Sequence, residues 1–150
     1  MKNQFLAAVI FIAASVQNST QARDAEKVNY RVQQSFYEEF GSVSQVSWKE
    51  TSSGMMKACF KQADQSVCAF FTLEGEYLAT TTIMKYNQLP EKLRVNLDKT
   101  LAGMTVTEVF ELRNDYESAF YISARKGNTE KLLKGYANGY ASDYAQVKSH

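Results

Sequence analysis

Two periods of hydrophobic spacing divide this chain. Val28, Val32, Phe36 and Phe40 recur at four-residue steps with Tyr37 beside them and charged residues between, which predicts an amphipathic helix with Asp24 as its cap and Gly41 at its end. From residue 44 the spacing drops to two. Val46 and Trp48 share one face of residues 44–50, Gly54 marks a turn, and residues 55–61, 67–73 and 77–83 follow, separated by Gln62-Ala63-Asp64-Gln65 and Glu74-Gly75. That pattern predicts four strands joined by short hairpin turns. Leu89-Pro90 then opens a second helix with an apolar stripe of Leu93, Leu97 and Leu101, ended by Gly103. Extended runs at 105–112, 118–125 and 129–135 come next, the last two meeting at a Gly127-Asn128 hairpin turn, and the chain finishes in a Tyr- and Gly-rich tail.

Helix and hairpins followed by helix and hairpins suggest an internal duplication, with copies at about 23–84 and 85–150. The shift that lays Val46 and Trp48 over Phe110 and Leu112 also lays Ala58 and Phe60 over Ile122 and Ala124, and Gly75 over Gly139. The helices need a smaller shift, which places Phe36 and Phe40 over Leu97 and Leu101. The fold class expected is therefore α+β: two tandem helix-plus-antiparallel-strand repeats forming one curved sheet, with the helices on one face and the other face wet.

Residues 1–22 read as a secretory signal rather than as part of the fold. Lys2 supplies a basic start, residues 5–14 are an unbroken apolar run too short to span a bilayer, and Thr20-Gln21-Ala22 offers small residues for cleavage. A buried N-terminal helix is the competing reading, but such a helix would show a polar face. No Cys stands near the cleavage site for a lipid anchor, and no later segment is a membrane span. The expectation is a periplasmic or secreted product with a single domain at 23–150.

Phe40, Val46-Ser47-Trp48, the alternating Met56-Lys57-Ala58-Cys59-Phe60, Ala69-Phe70-Phe71 with Glu74-Gly75-Glu76-Tyr77-Leu78, and Leu89-Pro90 before a helix together resemble a known family. It is the PepSY-like, beta-lactamase-inhibitor-like group of periplasmic proteins from Bacteroidetes-type bacteria, and the likeness covers about residues 28–139. The resemblance implies two α+β repeats, a continuous sheet backed by helices, and protein binding through the open sheet face. It implies no catalytic residues. This chain departs from the usual pattern in Met56, where an aromatic is common, in its Cys pair, and in a weak final hairpin.

Folding residues 55–73 about Ala63-Asp64 pairs Phe60 with Val67, Ala58 with Ala69 and Met56 with Phe71 on one face. The same register opposes Cys59 to Cys68 on the other face, together with Lys57 and Phe70, and Lys61 and Ser66. Opposed residues stand within disulfide range and export favours oxidation, so a Cys59–Cys68 bond is expected, against the plainer reading of two semi-buried thiols. If helices cover the Phe60 side, Lys57 and Phe70 lie on the open side as a candidate binding patch; equally, Phe70 packs under a neighbouring strand or loop. Tyr136, Tyr140 and Tyr144 fit either a helix face or a turn with a short last strand, and the interrupting Gly135 and Gly139 favour the turn. Tyr136 and Tyr140 join the candidate binding residues because tyrosine buries area at little entropic cost.

Composition narrows the function. Lys and Arg number 17 against 16 Asp and Glu, and loss of the signal removes Lys2 and no acid, leaving a balanced chain without the broad positive field of a nucleic-acid binder. The one His is the terminal His150, so neither a His-based nucleophile nor a metal site has its material, and no cofactor is implied. Glu38-Glu39 and Glu74 with Glu76 read as solvated pairs, and Lys126, Lys131 and Lys134 as dispersed surface charge. What remains is an exported, non-enzymatic module recognising a protein or peptide in an inhibitory or chaperoning sense. The alternative is a small-ligand carrier with a pocket between helices and sheet lined by Trp48, Phe60 and Phe71.

Overall fold

A computed structural model describes residues 27–148. The expected signal segment and the Asp24 cap lie outside the described residues. The first helix, α1 (Tyr30–Phe40), is capped by Asn29, whose side-chain Oδ1 accepts a hydrogen bond from the Arg31 backbone N–H at 3.0 Å. Strands β1 (Ser47–Glu50), β2 (Met55–Gln62), β3 (Gln65–Thr72) and β4 (Tyr77–Ile83) follow. After a 3₁₀ turn at Tyr86–Gln88, α2 (Glu91–Thr100) leads to β5 (Thr105–Arg113), β6 (Ser118–Lys126), β7 (Thr129–Gly135) and β8 (Ala141–Lys148). The chain divides into two compact units, one ending at Thr81 and the other beginning at Thr82.

In the first unit α1 lays Val32 and Phe36 against Trp48, Met56, Ala58, Phe60, Val67, Ala69 and Phe71. The rings meet edge to face, with Phe36 centred 5.2 Å from Trp48 and 5.3 Å from Phe60. In the second unit Leu93 and Leu97 of α2 pack on Val109, Phe120, Ile122, Ala124 and Leu133. Each unit closes a hairpin against its helix through a glycine. Gly75 has φ +97°, Ser35 Oγ donates to its carbonyl, and an added Cβ would stand 2.8 Å from the Arg31 carbonyl oxygen. Gly139 has φ +99° and lies less closely over Lys92, where an added Cβ would stand 3.2 Å from the carbonyl oxygen, with Asn96 Nδ2 donating to the Gly139 carbonyl at 2.9 Å. Gly75→Ala is expected to cost about 1–2 kcal/mol, from the positive φ and the collision with helix backbone. Denaturant unfolding checks this; an unchanged midpoint would show that the turn can move away from α1.

The architecture corrects the expected two tandem helix-plus-antiparallel-strand repeats. Among the described residues the strands form one eight-stranded antiparallel sheet hydrogen-bonded in sequence order, β1 to β8, and two short helices accompany it. The physical reason lies in where apolar surface is buried. Each helix buries only two of its own side chains, whereas β2, β3 and β6 bury four or five residues in runs that include both faces. Met55, Cys68 and Phe70 are buried on the face away from α1, and Phe110, Leu112, Ala119 and Tyr121 on the face away from α2. That second face is therefore not the wet one that alternation suggested. The Tyr-rich tail likewise turns at 136–140 and continues as a full strand, β8.

Candidate functional site

Two surfaces hold the residues singled out in the sequence. In the first unit, β2 and β3 pair as the fold about Ala63-Asp64 requires, with Phe60 opposite Val67, Ala58 opposite Ala69, Cys59 opposite Cys68 and Lys57 opposite Phe70. Cys59 and Cys68 are joined as a disulfide across Cα atoms 4.1 Å apart. The pairing of β1 with β2 sets Lys49 directly opposite Lys57 and Ser47 opposite Cys59 on this same face, and turns Trp48 and Glu50 to the α1 side. Lys61 Nζ donates to Ser66 Oγ at 2.7 Å. Lys57 is only 8% exposed, and burial together with the neighbouring Lys49 charge lowers its pKa. Phe70 is 0% exposed, so of the two readings of this ring the structure shows the packed one, and the side chain is not an open aromatic anchor.

In the second unit, the turns at 114–117 and 136–140 meet. Asn114 Oδ1 accepts from the backbone N–H of Tyr116 and Glu117 at 2.8 and 2.9 Å, and Asn138 Oδ1 accepts from that of Tyr140 at 3.0 Å, so side-chain amides brace both turns. Lys134 Nζ donates to both oxygens of Glu117 at 2.8 and 3.0 Å, and the Tyr136 hydroxyl donates to Glu117 Oε2 at 3.3 Å. The ammonium lies 5.4 Å from the centre of the Tyr136 ring and 5.8 Å from that of Tyr121. Burial opposes charge on Lys134, but Glu117 and Tyr136 outweigh it and hold the pKa above the ordinary lysine range. Burial pushes the Tyr121 hydroxyl up to about 12. From this base Tyr140 stands 61% and Tyr116 83% exposed, and the Tyr136 and Tyr140 rings are centred 6.2 Å apart.

The structure groups Lys57 with Phe70 in the first unit and Tyr136 with Tyr140 in the second. Sequence reasoning missed Glu117, Tyr116 and Lys49, and Lys134 is no dispersed surface charge. Folding the 118–135 hairpin about Gly127-Asn128 would have paired Lys134 with Tyr121, as observed, and so placed the lysine among aromatic rings. The space proposed for a carried ligand is taken up by the aromatic core itself: Trp48, Phe60 and Phe71 are buried around Phe36.

Among the described residues no group of three His, Cys, Asp or Glu side chains gathers as a metal site, and no helix is long and apolar enough to cross a membrane. Glu108, opposite Ser123 on the face away from α2, is the one carboxylate among the described residues whose pKa is raised, and burial is the cause. A folded-state pKa above the unfolded value adds stability below the unfolded pKa, and that stability is lost as pH rises through the folded pKa. Glu108→Gln is therefore expected to raise the melting temperature modestly at about pH 7, with the gain vanishing toward about pH 4. Melting curves at the two pH values check this; a gain that persisted in acid would deny the charge its role.

No protein-family model and no curated protein matches the sequence. Solved structures share the fold. A BLIP-like protein from Bacteroides fragilis NCTC 9343 superposes with a TM-score of 0.71 at 14% identity, over 93% of this chain and 94% of that one. A DUF2874 family protein from Bacteroides ovatus ATCC 8483 gives a TM-score of 0.69 at 16% identity, over 76% of this chain and 86% of that one. A protein from Bacteroides eggerthii DSM 20697, provisionally described as periplasmic, gives 0.70 at 13% identity, over 80% and 88%. Likeness at such low identity is likeness of fold. The inhibitor-like half of the resemblance drawn from the sequence reappears here; the PepSY-like half does not.

Proposed function

We propose that this chain is an exported, non-enzymatic module that binds a protein or peptide, in an inhibitor-like or chaperone-like role. The observation that carries the reading is the pair of braced turns in the second unit, which present Tyr116 and Tyr140 to solvent from a fixed Glu117–Lys134–Tyr136 base. Rigid, exposed tyrosines lose little freedom on contact and bury much area, the property that makes them interface anchors. The BLIP-like and periplasmic descriptions of the fold relatives support binding and export in the same direction, as does the signal-like segment at 1–22. Membership of the PepSY-like group belongs to this proposal too.

The test is photo-crosslinking in the native envelope fraction, with a benzophenone side chain at position 140 and, as control, at Val95, which is exposed on α2. A discrete protein adduct is expected from position 140 alone, and it should be lost on Tyr116→Ser with Tyr136→Phe retained. Equal labelling from both positions, or none from either, would count against the reading.

A further inference from the structure

The two tyrosine-bearing turns of the second unit sort their polar groups by kind. Asn114 and Asn138 each commit the side-chain oxygen to their own turn, accepting from the N–H groups of Tyr116 and Glu117 and from that of Tyr140. What each amide keeps is its NH2, a donor without a hydrogen bond among the described residues; Asn138 is exposed and Asn114 half-buried, and neither nitrogen is sealed from solvent. The Glu117 carboxylate is engaged in the same way, by two N–H bonds from Lys134 and one O–H bond from Tyr136. Tyr116 and Tyr140 add two exposed rings, each ending in a hydroxyl able to donate.

The side chains of these turns therefore offer apolar ring faces and donors. Their carbonyl and carboxylate oxygens are turned inward, except at the exposed Asp115. An ordinary extended peptide brings one N–H for every C=O, and a sugar brings hydroxyls that donate, so both ask for acceptors that Asn114, Asn138 and Glu117 have already committed. A proline brings a carbonyl and no N–H. In the polyproline II conformation no carbonyl is used internally, and every third residue returns to the same face. Pyrrolidine rings can then lie on the tyrosine rings while the carbonyls between them accept from hydroxyl and amide. Charge agrees with a neutral occupant: Lys134 neutralises Glu117, and Asp115 repels an acidic one.

We infer that the turns at 114–117 and 136–140 receive a proline-rich segment of the partner protein, held in the polyproline II conformation. The inference rests on the binding-module reading and names the chemistry of its partner. Both sides meet already stiff, the turns through their amide braces and the segment through its fixed φ, so little freedom is lost on docking.

Fluorescence anisotropy with the mature chain tests this, using labelled ten-residue peptides that repeat Pro-Pro-Ala or, as control, Ser-Ser-Ala. The proline peptide is expected to bind at least about tenfold more tightly than the serine peptide. Tyr116→Ser and Tyr140→Ser should each weaken it by at least about fivefold without moving the melting temperature, because both side chains are exposed. Asn138→Asp keeps the oxygen that braces Tyr140 but exchanges the NH2 for an acceptor, and is expected to weaken binding by about three- to tenfold with the melting temperature retained. Val95→Ser, on the exposed side of α2, should leave affinity unchanged. Equal binding of the two peptides, failure of both, or affinity indifferent to Tyr116→Ser and Asn138→Asp would overturn the inference. Crosslinking from position 140 reports separately on the wider reading: a protein adduct there, with no preference for proline, would leave the binding module standing and remove only its proline-rich partner.

Discussion

Phe70→Ala is expected to lower the unfolding free energy by about 3–5 kcal/mol, the range for an aromatic ring deleted from a close-packed interior. The side chain has no exposed surface, projects from the middle of β3, and stands opposite Lys57 beside the disulfide. Its removal leaves a void that the paired strands cannot close, since backbone hydrogen bonding and the Cys59–Cys68 bond hold β2 and β3 in register. It also strips apolar contact from the Lys57 stem. Urea unfolding at constant m-value measures the loss directly. A change below about 0.5 kcal/mol would be the behaviour of a surface residue and would restore Phe70 as a contact anchor. Phe70→Leu keeps most of the volume and is expected to recover more than half of the loss.

The same residue shows what was legible in the sequence and what was not. Strand existence, the β2–β3 register and the Cys59–Cys68 pairing follow from local facts: period-two alternation, plus a turn centre that fixes which residues meet. Ala63 and Asp64 both take positive φ, 48° and 63°, the left-handed pair that two-residue hairpins need. Alternation also assigns Phe70 correctly to the face away from α1. It cannot say whether that face is wet, because burial there depends on what packs over it, and no local pattern encodes that. The α+β expectation failed for this reason, by taking the helices as the main cover of a half-open sheet. The tail was obscured differently: Ser142 and Asp143 dilute the alternation of β8, and its pairing with β7 shifts register between Leu132 and Leu133.

At the candidate site, adjacency of Tyr136 and Tyr140 follows from a short turn. The Glu117–Lys134 pair does not, since the two lie 17 residues apart and meet only once two successive hairpins are in register. Lysines read one by one as solvated charge miss such pairs. They also miss the sorting of Lys49, Lys57 and Lys61 onto one face, which becomes visible only when β1 is placed beside β2.

Loss of the disulfide is expected to cost about 2–3 kcal/mol, measured as equal shifts on full reduction and in the Cys59→Ala, Cys68→Ala double variant. The cysteines are separated by only 9 residues, so closure of the unfolded chain contributes modestly, and the bond has a second task in the folded state. It pins the hairpin whose turn sets Ala63 and Asp64 in a conformation that costs roughly 1 kcal/mol for a residue with a Cβ. Without the bond, that turn has less to hold it against slippage, and a slip by one residue would exchange Phe60 and Phe71 with Lys61 and Phe70 between faces. Asp64→Gly removes the conformational penalty at a site where glycine fits, since its φ is 63°. In the double-alanine background this third substitution is expected to return about 1 kcal/mol and to restore a single sharp unfolding transition. Reduction without loss of stability would mean that apolar alternation alone holds the register; a triple variant no more stable than the double would mean that the turn is not strained.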